Sequence, residues 1–205
     1  MGSTAVRHDP KVSDVAEEDV LRAGVYRLLS HALSAPPTGQ DLKSWSALNA
    51  SANAFGQAIA AFATHARASD VAAASQQFQD LFIGLGRGEF VPYGSYYLTG
   101  FMQEKPLARL RQDMDRLAIA RSGGMSDPED HIAAVLDMMA GLIDGAFGAP
   151  LTPAQQKSFF NAHLGSWAPV FFRDLEATTT SRLYSALGAV GRQFMLIEDR
   201  AFAMV

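Results

Sequence analysis

The chain has 205 residues, a formal net charge of −4 and no cysteine. That length makes one large domain or two small ones and can bury roughly 70% of the unfolded surface, so the core needs no staple. The composition excludes disulfides, zinc–thiolate and iron–sulfur sites and cysteine nucleophiles, and the acidic balance argues against general nucleic-acid binding.

Residues 1–13 are polar and without period, which predicts a flexible tail ahead of a single domain over 14–205. They show no apolar core behind a basic start, so no export signal is read there. From Asp14 a helix is predicted, carrying Val20, Leu21, Val25, Leu28, Leu29 and Leu33 until Ala35-Pro36-Pro37 stops it. Arg22 and Tyr26 lie four apart and share a face, and His31 suits the dipole at the helix end. Asp41 is the expected cap of a short helix anchored by Trp45. An alanine-rich stretch follows, with Phe55, Ile59 and Phe62 as its stripe. A further helix runs to Phe82, with Val71, Ala74, Phe78, Leu81 and Phe82 on one side.

Gly84-Leu85-Gly86-Arg87-Gly88 ends that helix. The third glycine of a phosphate-binding G-x-G-x-x-G would fall at Glu89, and no strand precedes it, so no nucleotide site is read here. Glu89 to Tyr97 then packs four aromatic rings, Pro92 and Gly94 into nine residues. Such a stretch predicts a shaped loop, either a core plug or a recognition surface. Gly94-Ser95-Tyr96 lacks the spacing of a nucleophile elbow.

A helix over 105–120 carries Leu107, Leu110, Met114, Leu117 and Ile119. Arg121 to Ser126, with Gly123-Gly124, is a link. Asp127-Pro128-Glu129-Asp130 has a capping residue, a proline at the first position and acids, which predicts a helix start. The helix continues through Ile132, Val135, Leu136, Met139, Leu142 and Ile143, with Asp130, Asp137 and Asp144 a heptad apart on its wet side. Asp137 and Asp144 also interrupt residues 132–150, the longest apolar run, so no membrane span is read and the expected location is cytoplasmic. Thr152-Pro153 caps the next helix. Two more follow, with Val170, Phe171 and Leu175, then Leu183, Leu187, Val190, Phe194 and Ile197, facing inward. No alternating strand and no fixed repeat occurs. The predicted fold is all-α, a bundle of eight or nine helices around one core.

None of the five histidines forms H-E-x-x-H or a pair at helical spacing, and nothing requires His65, His131 and His163 to converge. No metal site, cofactor site or catalytic residue is predicted. Asp130 beside His131 has two readings: a pair that completes a helix cap, or a polar site at the mouth of a groove.

Four blocks occur in a fixed order. Phe78-x-x-Leu81-Phe82-x-Gly84 leads into the loop, and Glu89 to Tyr97 resembles an E-x-x-P-Y/W-x-S-x-Y signature. Asp127-Pro128-Glu129-Asp130-His131 is similar to E-P-x-D-H, with Asp127 where glutamate is usual. Phe159-Phe160-x-x-His163-Leu164-x-x-Trp167 closes the series. On these blocks the chain resembles, over about residues 14–197, the TorD-like family of cytoplasmic maturation chaperones for twin-arginine-exported molybdoenzymes.

The resemblance implies a non-enzymatic chaperone. It would bind the twin-arginine signal peptide and the apo catalytic subunit of a molybdenum oxidoreductase, and delay export until the cofactor is inserted. Carried over by position, the peptide surface would include Phe78, Leu81, Phe82, Pro92, Tyr93, Tyr96, Asp130 and His131. Aromatics would take the leader's apolar stretch, and Asp130, Glu129 and Glu89 would face its guanidinium groups. The resemblance also implies a monomer or a homodimer, including a domain-swapped one hinged at Gly123-Gly124. The alternative is a helical enzyme, a metal-dependent or acid–base hydrolase, with Asp130 and His131 as partners.

Overall fold

The apolar periods of the sequence fold as helices. The computed structural model describes residues 16–84, 88–120 and 127–205. Among these are ten α-helices: α1 (Glu17–Ser34), α2 (Gly39–Ser46), α3 (Ala54–Ala68), α4 (Val71–Phe78), α5 (Gly94–Thr99), α6 (Lys105–Arg116), α7 (Ile132–Asp144), α8 (Pro153–His163), α9 (Ala168–Glu176) and α10 (Arg182–Ala203). The described residues contain no strand, so the all-α prediction holds. The helix beyond the expected eight or nine is α5, which forms inside the stretch read as a loop. The predicted tail and the Gly123-Gly124 hinge lie outside the described residues.

Local chemistry sets most boundaries. Thr152 caps α8 in a reciprocal box with Gln155, as its spacing predicts. The cap of α2 is Thr38 and not Asp41. Asp41 is the third residue of the helix, and its carboxylate accepts from the Thr38 N–H at 2.8 Å while Thr38 Oγ1 accepts from the Asp41 N–H. Asp41 also meets His31 Nε2 at 2.7 Å, which holds α2 against the end of α1. Helix α6 stops at Arg116 and not near Ala120. Ala118 turns left-handed (φ 54°), and the Ile119 N–H reaches back to the Met114 carbonyl.

One core joins the helices. Helix α1 packs against α7, and the buried Ser30 hydroxyl donates to the Ala133 carbonyl between them at 2.7 Å. Helix α10 lies between α3 and α9. Its glycines permit the α9 contact: a Cβ at Gly188 would sit 2.3 Å from the Glu176 backbone nitrogen. Several residues read as inward are exposed, namely Val20, Leu21, Val71, Val170 and Ile197. Arg27 already pairs with Asp144, the last residue of α7, so the first turn of α1 has no α7 to cover Val20 and Leu21. On α10 the buried stripe rotates from Leu183, Leu187 and Val190 toward Met195, Glu198 and Phe202, which leaves Ile197 outside.

Arg22 and Tyr26 do share a face, and what they meet is Glu198. This fully buried carboxylate accepts from Arg22 Nε and NH2 at 2.8 Å each and from the Tyr26 hydroxyl at 2.9 Å. Arg22 NH1 reaches Gln156 of α8 at 3.1 Å, so α1, α8 and α10 meet at one polar knot. Breaking one partner of such a buried pair strands the others. Glu198→Ala is expected to cost about 3 kcal/mol in urea unfolding at neutral pH; a loss under about 1 kcal/mol would show the knot to be dispensable.

Candidate functional site

The site forms where two non-helical segments meet. Helix α4 runs into a π-helical turn over Gln79–Ile83, which Gly84 ends at φ 63°. This turn presents the Asp80 and Leu81 carbonyls to the returning chain, which donates from Glu89 at 3.2 Å and Phe90 at 2.8 Å. Gly88 is needed at this reversal, because a Cβ there would lie 2.6 Å from the Leu81 carbonyl oxygen. The chain then crosses residues 130–132 antiparallel. Gly94 N–H donates to the Asp130 carbonyl at 2.9 Å, and Ile132 N–H donates to the Pro92 carbonyl at 2.8 Å.

Asp127-Pro128-Glu129-Asp130 is therefore not the first turn of α7. It is a separate turn, closed by the His131 N–H on the Pro128 carbonyl at 3.1 Å. The helix starts one residue later, with His131 as its N-cap: Nδ1 accepts from the Ala133 N–H at 3.2 Å. This bond assigns the imidazole a neutral form with its proton on Nε2. Asp130 turns the other way and caps α5, its Oδ2 accepting from the Ser95 N–H at 2.7 Å. The two side chains are thus not paired, and the acid–base dyad of the hydrolase alternative is not formed. The described residues also contain no cluster of three or more metal-ligating side chains.

The expected site residues fall into four sets. Tyr93, Tyr96 and His131 are half-buried at the junction, with the Tyr93 and His131 rings 5.0 Å apart edge to face. Phe78, Leu81, Pro92 and Asp130 are buried, so no peptide reaches them in this conformation. Phe82 is half-buried and ringed by Phe78 at 5.0 Å, Tyr184 at 5.5 Å and Phe90 at 6.2 Å. The two glutamates have intramolecular partners. Glu89 is exposed and accepts from the Thr178 and Thr180 hydroxyls at 2.7 and 2.6 Å. Glu129 accepts from Arg111 Nε and NH2 at 3.0 and 2.8 Å.

Beside the junction lies a pocket of about 330 Å3 between α1, α6 and α7. Met114, Ile119, Ala133, Met138 and Phe147 give it an apolar lining, to which the exposed Asp127 and Asp137 and the buried Glu129 add carboxylates. Sequence reasoning missed this pocket because three helices build it. The available signal was Asp137, an acid held between the apolar positions of α7. Tyr93 connects pocket and junction through its interaction with Asp127. Burial, with the negative charges of Asp127 and Asp130, pushes the Tyr93 phenol up to about 12. Burial lowers His131 below the ordinary imidazole range, against the opposing pull of Asp127 and Asp130.

Known proteins share stretches of this sequence and this fold. Residues 48–173 match the family described as the nitrate reductase delta subunit. A chaperone protein TorD from Vibrio cholerae serotype O1 is 29% identical over 125 residues, 58% of this chain and 57% of that protein. A chaperone protein TorD from Aliivibrio fischeri is 33% identical over 107 residues, 47% of this chain and 49% of that one. The chain thus spans about half the length of these relatives. A crystal structure from Archaeoglobus fulgidus, assigned as a redox enzyme maturation protein, superposes with a TM-score of 0.61 at 20% identity. It covers 93% of this chain and 99% of its own, which shows a shared fold.

Two buried imidazoles set an acid limb of stability. His131 and His163 both lie below 6.5 when folded, burial being the larger cause for each. Below pH 6.5 the unfolded chain therefore takes up more protons than the folded one, and stability falls with pH; above it the two groups contribute no slope. The urea midpoint is expected to drop between pH 7 and pH 5. His131→Asn, which keeps an N-cap acceptor for Ala133, should flatten part of that drop. An unchanged slope in this variant would remove His131 from the account.

Proposed function

The chain belongs to the family of the nitrate reductase delta subunit and the TorD chaperones, and we propose that it is a maturation chaperone for an exported molybdenum oxidoreductase. It binds the twin-arginine signal peptide and the apo catalytic subunit of that enzyme. It acts in the cytoplasm as a single helical domain and delays export until the cofactor is in place. No described helix is long and apolar enough to cross a membrane, in keeping with a protein that meets its client before export.

The observation that carries this reading is the acid-bearing apolar pocket beside Tyr93. A leader peptide joins a pair of arginines to an apolar stretch, and the pocket joins Asp127, Glu129 and Asp137 to an apolar lining. Helix-in-groove recognition reads such a stretch by its apolar face. The planar guanidinium fork matches carboxylates better than an ammonium does. Glu129 already holds Arg111, so a leader arginine exchanges with a resident one there. Asp137 is exposed, makes no hydrogen bond or ion pair among the described residues, and feels Arg27 of α1 only as a nearby charge. Tyr93, Tyr96 and His131 extend the surface past the pocket mouth. Phe78, Leu81, Phe82 and Pro92 support it from beneath.

Calorimetry with a twin-arginine leader peptide tests the proposal. Binding is expected with a Kd on the order of 1 µM, with a Lys-Lys leader about tenfold weaker. Tyr93→Ala and Asp137→Asn should each weaken binding about five- to tenfold, equivalent to about 1 kcal/mol, and Asp137→Asn, at an exposed position, should do so without lowering the melting temperature. No binding across several twin-arginine leaders would overturn it.

A further inference from the structure

Asp130 sits under the proposed peptide surface and does not open onto it. Only 3% of the residue is exposed. Its backbone and its side chain address the same target: the carbonyl accepts from the Gly94 N–H at 2.9 Å, and Oδ2 accepts from the Ser95 N–H at 2.7 Å. Gly94 and Ser95 open α5, whose own N-cap, Tyr93, supplies no side-chain acceptor. Asp130 therefore provides the cap from 35 residues away.

Direct recognition of a leader arginine by this carboxylate needs a route to it. The other carboxylate oxygen, Oδ1, is buried without a partner among the described residues. A cavity of about 10 Å3 lies beside Asp130, walled by Gly94, Leu98, Leu110, Val135 and Trp167. That is room for about one water molecule and not for a guanidinium group.

We infer that Asp130 is a positioning residue for peptide binding: it holds the first turn of α5 so that Tyr93 stands beside His131, and it does not touch the peptide. Tyr93 immediately precedes that turn and Tyr96 lies within it. Tyr97, also in α5, packs on Trp167 and Phe171 with centroids 5.7 and 5.8 Å away, which ties the far side of the helix to the core. With one side fixed by rings and its start fixed by Asp130, α5 has one orientation. The consequence for binding rests on the peptide-binding proposal; the latch itself does not.

Asparagine separates the two roles, because its side-chain oxygen accepts the same Ser95 N–H without the charge. Asp130→Ala should speed Ser95 amide exchange and weaken leader binding, each about tenfold, and Asp130→Asn should restore both to within about threefold of the wild type. Replacing the leader arginines by glutamine should cost the same factor in the wild type and in Asp130→Asn. A direct charge contact gives the opposite: Asp130→Asn binds as poorly as Asp130→Ala, and the glutamine leader loses less against it. If Asp130→Ala does not fold, the comparison of the two leaders in Asp130→Asn still decides. If no leader binds even the wild type, the proposed function fails. Ser95 exchange then judges the latch alone, and an exchange rate unchanged in Asp130→Ala overturns it.

Discussion

Two backbone hydrogen bonds between residues 92–94 and 130–132 decide where α5 and α7 begin. Each segment leaves the helical pattern and must find partners for groups that a helix would have satisfied. Pro92 has no N–H to give, yet its carbonyl accepts from Ile132, and the Asp130 carbonyl accepts from Gly94. The segments satisfy each other, and each then enters a helix within two residues. The exchange brings Tyr93 opposite His131 although they are far apart in the chain. Gly94 can take part because it brings no side chain; a Cβ there would already touch the Trp167 indole at 3.2 Å. The last of the four sequence blocks thus bears directly on the second.

The aromatic stretch divides its rings between two tasks. Phe90 and Tyr97 turn inward onto Phe171, with centroids 6.3 and 5.8 Å away. Tyr93 and Tyr96 are half-buried, as Phe90 and Tyr97 are, but Tyr93 faces His131 at 5.0 Å rather than that core ring. The inward rings hold the segment to the core, at about 25 cal/mol per Å2 of apolar surface removed from water. Their burial makes the outward rings rigid, and rigid aromatics lose little entropy on meeting a ligand. Core plug and proposed binding surface are therefore compatible descriptions of this stretch.

Local chemistry was legible where helix and cap lie close together in sequence. Thr152-Pro153 with Gln155, the Arg22–Tyr26 face and the apolar stripe of α7 all stand as the spacing indicates. The failure at Asp127 to Asp130 has a physical cause. A capping residue, a proline and two acids satisfy every local rule for a helix start, but Asp130 was claimed by Ser95, and no local rule sees that competition. Phe78 and Leu81 show the same limit. Periodicity places both on one face of a helix, and only the packed fold shows that this face meets Tyr184 and the core. The pocket was invisible for a related reason, since its lining comes from residues that look like ordinary interior positions.

Around the junction, the acids sort by what they already hold. Asp113 takes His163, Asp144 takes Arg27, Glu89 takes two threonine hydroxyls and Asp130 takes the start of α5. These are internal fastenings, and exchanging any of them for a ligand would loosen an element. Glu129 holds Arg111, whose side chain is half exposed while the carboxylate itself is buried. Asp127 and Asp137 remain beside it, carrying charge toward a pocket lined by apolar groups. Like charges near an apolar surface repel each other more strongly than in open water, and Arg111, the Tyr93 hydroxyl and Arg27 offset part of that here. A further cation relieves that repulsion, and a ligand that brings cations together with an apolar segment relieves it while covering the lining. That match of charge to apolar lining comes from where the fold places these acids, more than from the overall charge of −4.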